Sequence, residues 1–335
     1  MSFRPTPRLV LLGLAAVILA MVVTGCGRDD TSSNAQGASQ TTDTGGTTES
    51  LFGRIEADGS STVGPLVTAA AESFQQENPD VQVTVGISGT GGGFERFCAG
   101  ETDLSNASRP IKPDPEDQEA TLCKKNGVEY TEFQVANDGI AVVTNKENAW
   151  ATCLTVDQLK KIWEPGSKVK SWKDVDPSFP DEKLTLAGPG TDSGTFDFFT
   201  NEINGEEGAS RSDYQASEDD NVIVQAVEGD KGGLGYFGLS YYEQNQDKLN
   251  DVEVDGGDGC VAPSTETVQD SSYTPLSRPL FVYAKNEALK RPEVQAFIKY
   301  MLDNHTSISE SALFVPLTDE QAQKAEDTFA TATGS

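Results

Sequence analysis

The sequence predicts an α/β fold, and two observations lead to that class. Segments with the alternating pattern of strands are interleaved with segments whose apolar residues recur at helical spacing, as in α/β proteins. The chain from Leu51 to Ser335 is also long enough for two modest domains, and its hydrophobic content of 36% is ordinary for a globular protein. We therefore expect two α/β domains after a separate N-terminal segment.

The N-terminal segment has the features of a secretory signal. Its first ten residues carry only positive charge, from Arg4 and Arg8, and the run that follows to Val23 is uncharged. This run is shorter than the ~20 residues that a membrane-spanning helix needs. The motif VTGC, which ends at Cys26, resembles a bacterial lipobox. That resemblance implies a signal peptide over residues 1–25, cleavage before Cys26, and acylation of the Cys26 thiol, for example with palmitate.

Residues 26–50 are predicted to form a lipidated flexible tether. They contain small and polar residues almost throughout, with nothing large and apolar to start a core. A flexible chain of this length keeps the folded part within about 30 Å of its anchor. We expect the mature protein to sit on the outer face of the bacterial cytoplasmic membrane, held by lipid.

The folded part begins with a predicted strand and continues with helices and strands in alternation. The predicted strands are residues 54–58, 81–85, 140–143 and 184–186. The predicted helices are residues 64–77, a segment near 94–98, 156–163 and 291–302, the last with Pro292 in its first turn.

The charge of the chain argues against one class of partner. The formal net charge is −28, and no cluster of lysine or arginine offsets it locally. Nucleic acid is therefore not expected as a partner. An anion that binds this protein must be held by local dipoles and few cations, against an unfavourable overall field.

Four cysteines remain after Cys26 is assigned to the lipobox, and in an exported protein they are expected to form disulfides. Three pairings are possible. We favour Cys98–Cys123, which closes a local loop, and Cys153–Cys260, which staples one domain. The competing interpretation is a zinc site, but the sequence has no Cys-x-x-Cys pair and its single histidine is His305. No metal or cofactor is expected.

Three short segments rich in Gly, Ser and Thr lie where predicted strands end and helices begin. They are residues 58–65 (DGSSTVGP), 88–94 (SGTGGGF) and 188–196 (GPGTDSGTF). Each would present backbone N–H groups and hydroxyls at a helix N-terminus, where the helix dipole also favours an anion. One such segment is weak evidence, because Ser and Thr caps and Gly turns are common. Three of them predict an oxyanion site.

With these motifs the sequence resembles the phosphate-binding lipoproteins that serve phosphate ABC transporters. Two further segments, residues 103–111 (DLSNASRPI) and 235–238 (GYFG), carry the same resemblance, which runs from about Ile55 to the last helices. It implies the two-lobed periplasmic-binding-protein fold of type II, with an anion closed in the cleft between the lobes. It also implies an ABC permease and an ATPase as partners, and a monomer without enzymatic activity.

The resemblance sets our expectations for lobes and ligand contacts. Lobe 1 is expected to contain residues 51–141 and 277–335, and lobe 2 residues 142–276. The expected phosphate ligands are Ser61, Thr62, Thr90, Ser193, Gly194 and Thr195, to which we add Ser108 and Arg109.

The last two residues mark departures from the family pattern. Many members have an aspartate that accepts the proton of a protonated phosphate, but Ser108 stands at the matching position here. Many also have an arginine just before the third segment, where this chain has Pro189. Arg109 is the expected substitute cation, because a guanidinium suits a tetrahedral oxyanion. The replacement proton acceptor is left open among Asp138, Asp192, Asp219 and Asp220, which leaves selectivity over sulfate open as well.

Three other functions are considered beside phosphate capture. A secreted phosphatase or related hydrolase would use Ser193 or Thr195 as its nucleophile, but it would need a base, and His305 is expected to be an exposed helix cap. A binding protein for sulfate or molybdate would keep the fold and change the ligand. An adhesion protein would use the three segments only structurally.

Overall fold

The structure is a computed structural model that describes residues 50–113 and 119–334. The predicted signal peptide, the lipidation site at Cys26 and all but the last residue of the predicted tether lie outside the described residues. The strands β1–β12 are Gly53–Gly59, Val81–Val85, Leu104–Ala107, Tyr130–Asn145, Cys153–Thr155, Thr185–Gly188, Gln215–Ala216, Gly233–Gly238, Leu249–Asp251, Glu253–Asp255, Cys260–Val261 and Ser277–Lys285.

The helices α1–α12 are Val63–Glu77, Gly89–Ala99, Glu119–Lys125, Val156–Trp163, Trp172–Val175, Gly194–Phe199, Asp220–Glu228, Leu239–Glu243, Thr265–Gln269, Pro292–Asp303, His305–Ser311 and Asp319–Thr333. A π-helix, Thr200–Asn204, continues α6, and a 3-10 helix, Ala288–Lys290, precedes α10. Within the described ranges, no helix has both the length and the apolar character required to cross a bilayer.

Nine strands of the described chain form one sheet, in which the order is β2-β1-β3-β12-β4-β8-β6-β7 and β9 pairs with β4. The strands β2, β1 and β3 are parallel, β12 runs antiparallel to β3 and β4, and β6 is parallel to β8 and β7. A separate small sheet has the order β11-β10-β5. Parallel strands that alternate with helices place the strand ends and helix starts of each half together.

Strand β4 connects the two halves of the large sheet. Its residues 130–139 pair with β12, whereas residues 140–144 pair with β8. The returning chain passes the same point, because the N–H of Ile140 donates to the carbonyl of Leu276 at 2.9 Å. The chain therefore crosses twice between the halves, at two adjacent positions.

The buried apolar residues form three clusters that follow this division. One contains residues from 140 to 276, together with Val315. The other two contain residues before 137 and after 279, one around α1 and α10 and the other around Phe94, Phe97 and Tyr283. Each half of the sheet thus has its own core.

The predicted elements are present, with one informative difference at α2. We expected a glycine-rich turn before a helix near Phe94, but the helix begins at Gly89 and includes the glycines. Tight packing explains this composition, since a Cβ at position 93 would lie 2.5 Å from the Cα of Gly59 in β1. Gly89 itself has a φ of 78°, which glycine adopts at little cost. The glycines here permit close packing and an unusual helix entry.

Both disulfides favoured from the sequence are present. Cys98–Cys123 joins α2 to α3, and its two side chains are fully buried. Cys153–Cys260 joins β5 and β11, the two outer strands of the small sheet, and Cys260 is exposed. Within the described residues the one group with metal-like geometry is Cys153, Glu253 and Cys260, but its two cysteines are bonded to each other.

Candidate oxyanion site

The three Gly/Ser/Thr segments and the Ser108 segment meet at a cavity of about 640 Å³. The first segment contributes residues 60–62, the second residues 88–92, and the third Gly194. The β3 end contributes residues 108–110, and the start of β12 contributes residues 277–279. Six of the eight predicted ligand residues line this cavity, and Ser193 and Thr195 do not.

The first segment turns from β1 into α1 and aims the N-terminus of that helix at the cavity. The Ser60 hydroxyl accepts hydrogen bonds from the N–H groups of Thr62 (3.2 Å) and Val63 (3.3 Å). The N–H of Gly64 donates to the carbonyl of Ser60 at 2.9 Å. Ser61 and Thr62 are thus held at the start of a 15-residue helix, where the dipole favours an anion.

The second segment forms the first turn of α2 and is tied to the end of β3. The hydroxyls of Thr90 and Ser108 are 3.0 Å apart, and the N–H of Ser108 donates to Thr90 Oγ1 at 3.3 Å. These two predicted ligand residues therefore share a hydrogen bond and face one cavity. Their hydroxyls can turn toward a ligand without movement of the backbone.

The third segment enters the short helix α6 beside the first segment. Ser193 caps this helix, because its hydroxyl accepts a hydrogen bond from the N–H of Thr195 at 3.2 Å. Gly194 packs closely against Thr62, which belongs to the other half of the molecule. A Cβ at this position would lie 2.5 Å from Thr62 Oγ1. The two segments, one from each half, approach each other directly.

Arg109 lines the cavity, but its charge is already paired. Its two terminal nitrogens donate to the carboxylate of Glu119 at 2.9 and 2.7 Å, and one of them also donates to the carbonyl of Pro110. The guanidinium lies over the face of Phe94 at 5.8 Å. A bidentate pair of this kind fixes Arg109 and offsets most of its field.

Arg278, which no sequence motif marked, is a second cation that lines the cavity. Its Nε donates to Asp138 at 3.0 Å, its Nη2 donates to Thr62 Oγ1 at 2.8 Å, and its guanidinium lies 3.7 Å from the ring centre of Phe198. Only 15% of the side chain is exposed. Arg278 therefore contacts the first segment at Thr62, helix α6 at Phe198, and strand β4 at Asp138.

Carboxylates also line the cavity, on the side of α6 and the π-helix. They are Asp197, Glu202 and Glu207. Burial raises the pKa of Asp197, Glu207 raises it further, and Arg278 acts in the opposite direction. A sequence signal for Asp197 existed, because residues 194 and 197 are one turn apart on the same helix and so share a face.

The four aspartates considered earlier are placed differently. Asp138 is buried and paired with Arg278. Asp192 and Asp219 are exposed, and neither they nor Asp220 line the cavity. Burial, with the charges of Asp219 and Glu218, raises the pKa of Asp220 to about 6.

His305 does not line the cavity either, and one expectation about it was wrong. It is the first residue of α11 and partly buried, whereas Asn304 holds the cap position. The reason is that α10 ends at Asp303, which leaves Asn304 as the single residue between the two helices. Burial lowers the pKa of the His305 imidazole.

Comparison with known proteins places this geometry in a family. The model of the PBP superfamily domain matches residues 32–305. Protein SphX of Synechococcus elongatus is 46% identical over 266 residues, which cover 78% of this chain and 77% of that protein. The phosphate-binding protein PstS of Staphylococcus saprophyticus is 39% identical over 325 residues, 95% of this chain and 94% of that one. This chain belongs to the PstS-type family of the PBP superfamily.

A solved structure supports the same assignment. A possible phosphate binding protein from Planctomyces limnophilus is 46% identical to this chain, with a TM-score of 0.80 over 84% of this chain and 99% of that one. The expected α/β fold of two lobes, type II, is thus confirmed. In this PstS-type chain, position 189 holds proline, and Arg278 from β12 supplies a mostly buried cation to the cavity.

Proposed function

We propose that this protein captures inorganic phosphate outside the cytoplasm and delivers it to an ABC permease, without catalysing a reaction. Three helix N-termini converge on one cavity, and hydrogen bonds to a charged acceptor are the strong class, about 1.5–3 kcal/mol each. The relatives from Staphylococcus saprophyticus and Planctomyces limnophilus, a phosphate-binding protein and a possible phosphate binding protein, point to the same ligand. We further propose that the chain is a monomer anchored through lipid on Cys26, with residues 26–50 as its tether.

The proposed ligand set keeps six of the eight predicted residues and adds Arg278. Ser61, Thr62, Thr90, Ser108 and Gly194 would bind the anion directly, Arg109 would contribute from its paired position, and Ser193 and Thr195 would hold the third segment. The proposed lobes are residues 51–141 with 277–335, and 142–276. A ligand that touches both lobes favours the closed state by its differential affinity, and this closed state is what a permease would recognise.

The observation that carries the proposal is the position of Arg278. Among the described residues two arginines line the cavity, and of these Arg278 contacts both α6, through Phe198, and the first segment, through Thr62. Its pKa is lowered by burial, but Asp138 counteracts this, and an arginine stays charged at neutral pH. A buried guanidinium beside Thr62 is suited to a tetrahedral dianion.

Calorimetric titration of the purified protein, freed of bound ligand by unfolding and refolding, tests this proposal. We expect tight phosphate binding, a loss of about 100-fold in Arg278→Gln, and a loss of about tenfold or less in Arg109→Gln, because Glu119 already pairs with Arg109. Arg54→Gln is the matched control, since Arg54 lies on the surface away from the cavity. Preference for sulfate or molybdate would change the ligand, and binding of no oxyanion would refute the proposal.

A further inference from the structure

Two adjacent phenylalanines on α6 have different neighbours. Phe199 packs against Trp163 inside the core formed by residues 140–276. Phe198 lines the cavity, and within the described ranges its ring contacts no other aromatic ring. It lies instead against the guanidinium of Arg278, whose central carbon is 3.7 Å from the ring centre. Phe198 therefore has a neighbour at the candidate site that Phe199 lacks.

The contact between Phe198 and Arg278 joins the two halves of the molecule. Phe198 belongs to the half formed by residues 140–276, and its side chain is only 4% exposed. Arg278 lies on β12 opposite Asp138, and its other partner is Thr62. These two partners belong to the same half as Arg278. Phe198 thus adds a contact from the opposite half, which is possible only while the halves are close together.

The contacts of Arg278 leave one edge of its guanidinium for a ligand. Its Nε and Nη2 both donate to Asp138 at 3.0 Å, and Nη2 also donates to Thr62 at 2.8 Å. In the part of the chain that the structure describes, Nη1 donates to no residue. Phe198 covers one face of the guanidinium plane, and the N–H groups lie in that plane. A ligand in the cavity can therefore accept from Nη1, in a direction that the plane determines.

We propose that Phe198 is a positioning residue for phosphate capture: its ring fixes the plane of the Arg278 guanidinium from the opposite lobe and so completes the site on closure. This inference rests on the proposed function and deepens it. A guanidinium is attracted to the face of an aromatic ring within about 6 Å, and more strongly where water is excluded. Before closure, Asp138 and Thr62 alone would hold Arg278. Closure would then orient the cation, and the oriented cation would bind the ligand, so each favours the other.

A Phe198 side chain that only filled the core would behave differently. Its loss would lower stability through the cavity it leaves, without a specific effect on phosphate affinity. A positioning role predicts a loss of affinity that depends on Arg278. Phe199 is the matched control, because it is a fully buried phenylalanine of the same helix that does not line the cavity.

The experiment measures phosphate affinity of the purified full chain by titration calorimetry, in the wild type and three variants. Phe198→Leu stays apolar but lacks the ring, and it should bind phosphate about five- to thirtyfold more weakly. Phe198→Tyr restores the ring and should recover most of that loss. Phe199→Leu should lower the melting temperature and leave the affinity unchanged. A chase of labelled with unlabelled phosphate should place the loss in Phe198→Leu in the dissociation rate, because the contact stabilises the closed state.

A double-mutant cycle with Arg278→Gln tests whether Phe198 acts through Arg278. In that background Phe198→Leu should change the affinity by less than about twofold, because the ring has no cation to orient. An equal loss in both backgrounds would overturn the role of Phe198 and leave phosphate capture intact, and so would wild-type affinity in Phe198→Leu or no recovery in Phe198→Tyr.

A wild type that binds no phosphate would refute the proposed function itself. Thermal melting checks the folding of each variant, and Phe198→Met takes the place of Phe198→Leu if the latter does not fold.

Discussion

At the scale of single residues, the charge of Arg278 depends on its neighbours. Burial alone lowers the pKa of a cation, and the largest influence on Arg278 is of this kind. Asp138 opposes it through a hydrogen bond and its charge, and Asp197 and Glu202 add to that effect. Arg278 and Asp138 together carry no net charge. A ligand therefore meets the directed N–H groups of Arg278 but little long-range attraction from the pair.

Asp220 gives a residue-scale prediction for stability. Its pKa is about 6 in the folded protein, above the usual 3.8, because it is buried near Asp219 and Glu218. For a carboxyl with a raised pKa, the stabilising contribution is complete below about pH 4 and is lost as the pH rises through 6. Asp220→Asn should therefore raise the free energy of unfolding above pH 7, by up to about 3 kcal/mol.

Denaturant unfolding of Asp220→Asn at pH 4, 6 and 8 measures this effect. The gain over the wild type should shrink as the pH falls and be only about 0.5 kcal/mol at pH 4. Asp192→Asn serves as the exposed control, with little change at any pH. A gain for Asp220→Asn that stays constant from pH 4 to 8 would show that the carboxylate charge is not its source.

Site residues could be predicted from the sequence where a motif marked them. Ser61, Thr62, Thr90, Ser108 and Gly194 lie in recognisable segments, and all line the cavity. Arg278 follows no motif, because it reaches the cavity through the pairing of β12 with β4, across 140 positions of sequence from Asp138. Long-range strand pairing of this kind leaves no local pattern.

At the scale of elements, Gly194 controls how closely α6 approaches the first segment. A methyl group at this position would lie 2.5 Å from Thr62 Oγ1 and 3.0 Å from its nitrogen. Gly194→Ala should therefore hold the two segments apart and weaken phosphate binding by at least about tenfold. Its melting temperature without ligand should change little, because Ala suits a helix better than Gly.

The matched control for Gly194 is Gly238→Ala, since a Cβ at position 238 meets nothing within 4 Å and Gly238 does not line the cavity. Titration calorimetry and thermal melting of both variants make the comparison. Equal affinities for Gly194→Ala and the wild type would mean that contact between the segments plays no part in binding.

The two disulfides should differ in access and in effect. The Cys98–Cys123 bond between α2 and α3 is buried, whereas Cys260 of the other bond is exposed. A mild reductant should therefore open Cys153–Cys260 first. Loop lengths of 25 and 107 residues correspond to a stabilisation of about 3.5 and 5 kcal/mol in the chain-entropy model.

Alkylation followed by mass spectrometry gives the order of reduction of the two bonds, and urea unfolding gives their contributions. Cys153→Ser/Cys260→Ser should be less stable than Cys98→Ala/Cys123→Ala, each compared with the wild type. A reductant that opens Cys98–Cys123 first would mean that α2 and α3 separate more readily than the burial of their cysteines indicates.

Element boundaries could be predicted best where periodicity was strong. Val81–Val85 and Val156–Trp163 match their predicted bounds, and α1 begins one residue earlier than expected. The start of α2 could not be predicted, because glycine has low helix propensity and packing against β1 overrides it. Tertiary contacts, which a local pattern does not contain, decide such cases.

At the scale of the whole molecule, two separate cores are joined at two adjacent crossings, near residues 140 and 276. Few residues therefore need to change conformation for the lobes to move relative to each other. Arg278 follows the second crossing by two residues, and Asp138 precedes the first by two. The buried ion pair thus lies beside the expected hinge, where a ligand that binds Arg278 would act directly on closure.

The net charge of −28 opposes the approach of a phosphate dianion, while local groups must hold it once bound. Salt screens the long-range repulsion, since the Debye length falls from about 30 Å at 0.01 M to about 8 Å at 0.15 M. The contacts inside the cavity act over shorter distances and are screened less. The association rate constant should therefore rise with salt, by about threefold over this range.

Stopped-flow tryptophan fluorescence can follow this rate, because Trp163 packs against Phe199 at the end of α6 and should respond to movement of that helix. Neutralising three acidic residues on α12, by Glu320→Gln, Glu326→Gln and Asp327→Asn, should weaken the salt dependence without touching the cavity. An association rate that falls with salt would mean that Arg278, Arg109 and Lys112, which also lines the cavity, create an attractive field that reaches beyond the cavity mouth. Phosphate would then be steered in by local charge, and the acidic surface would affect only solubility.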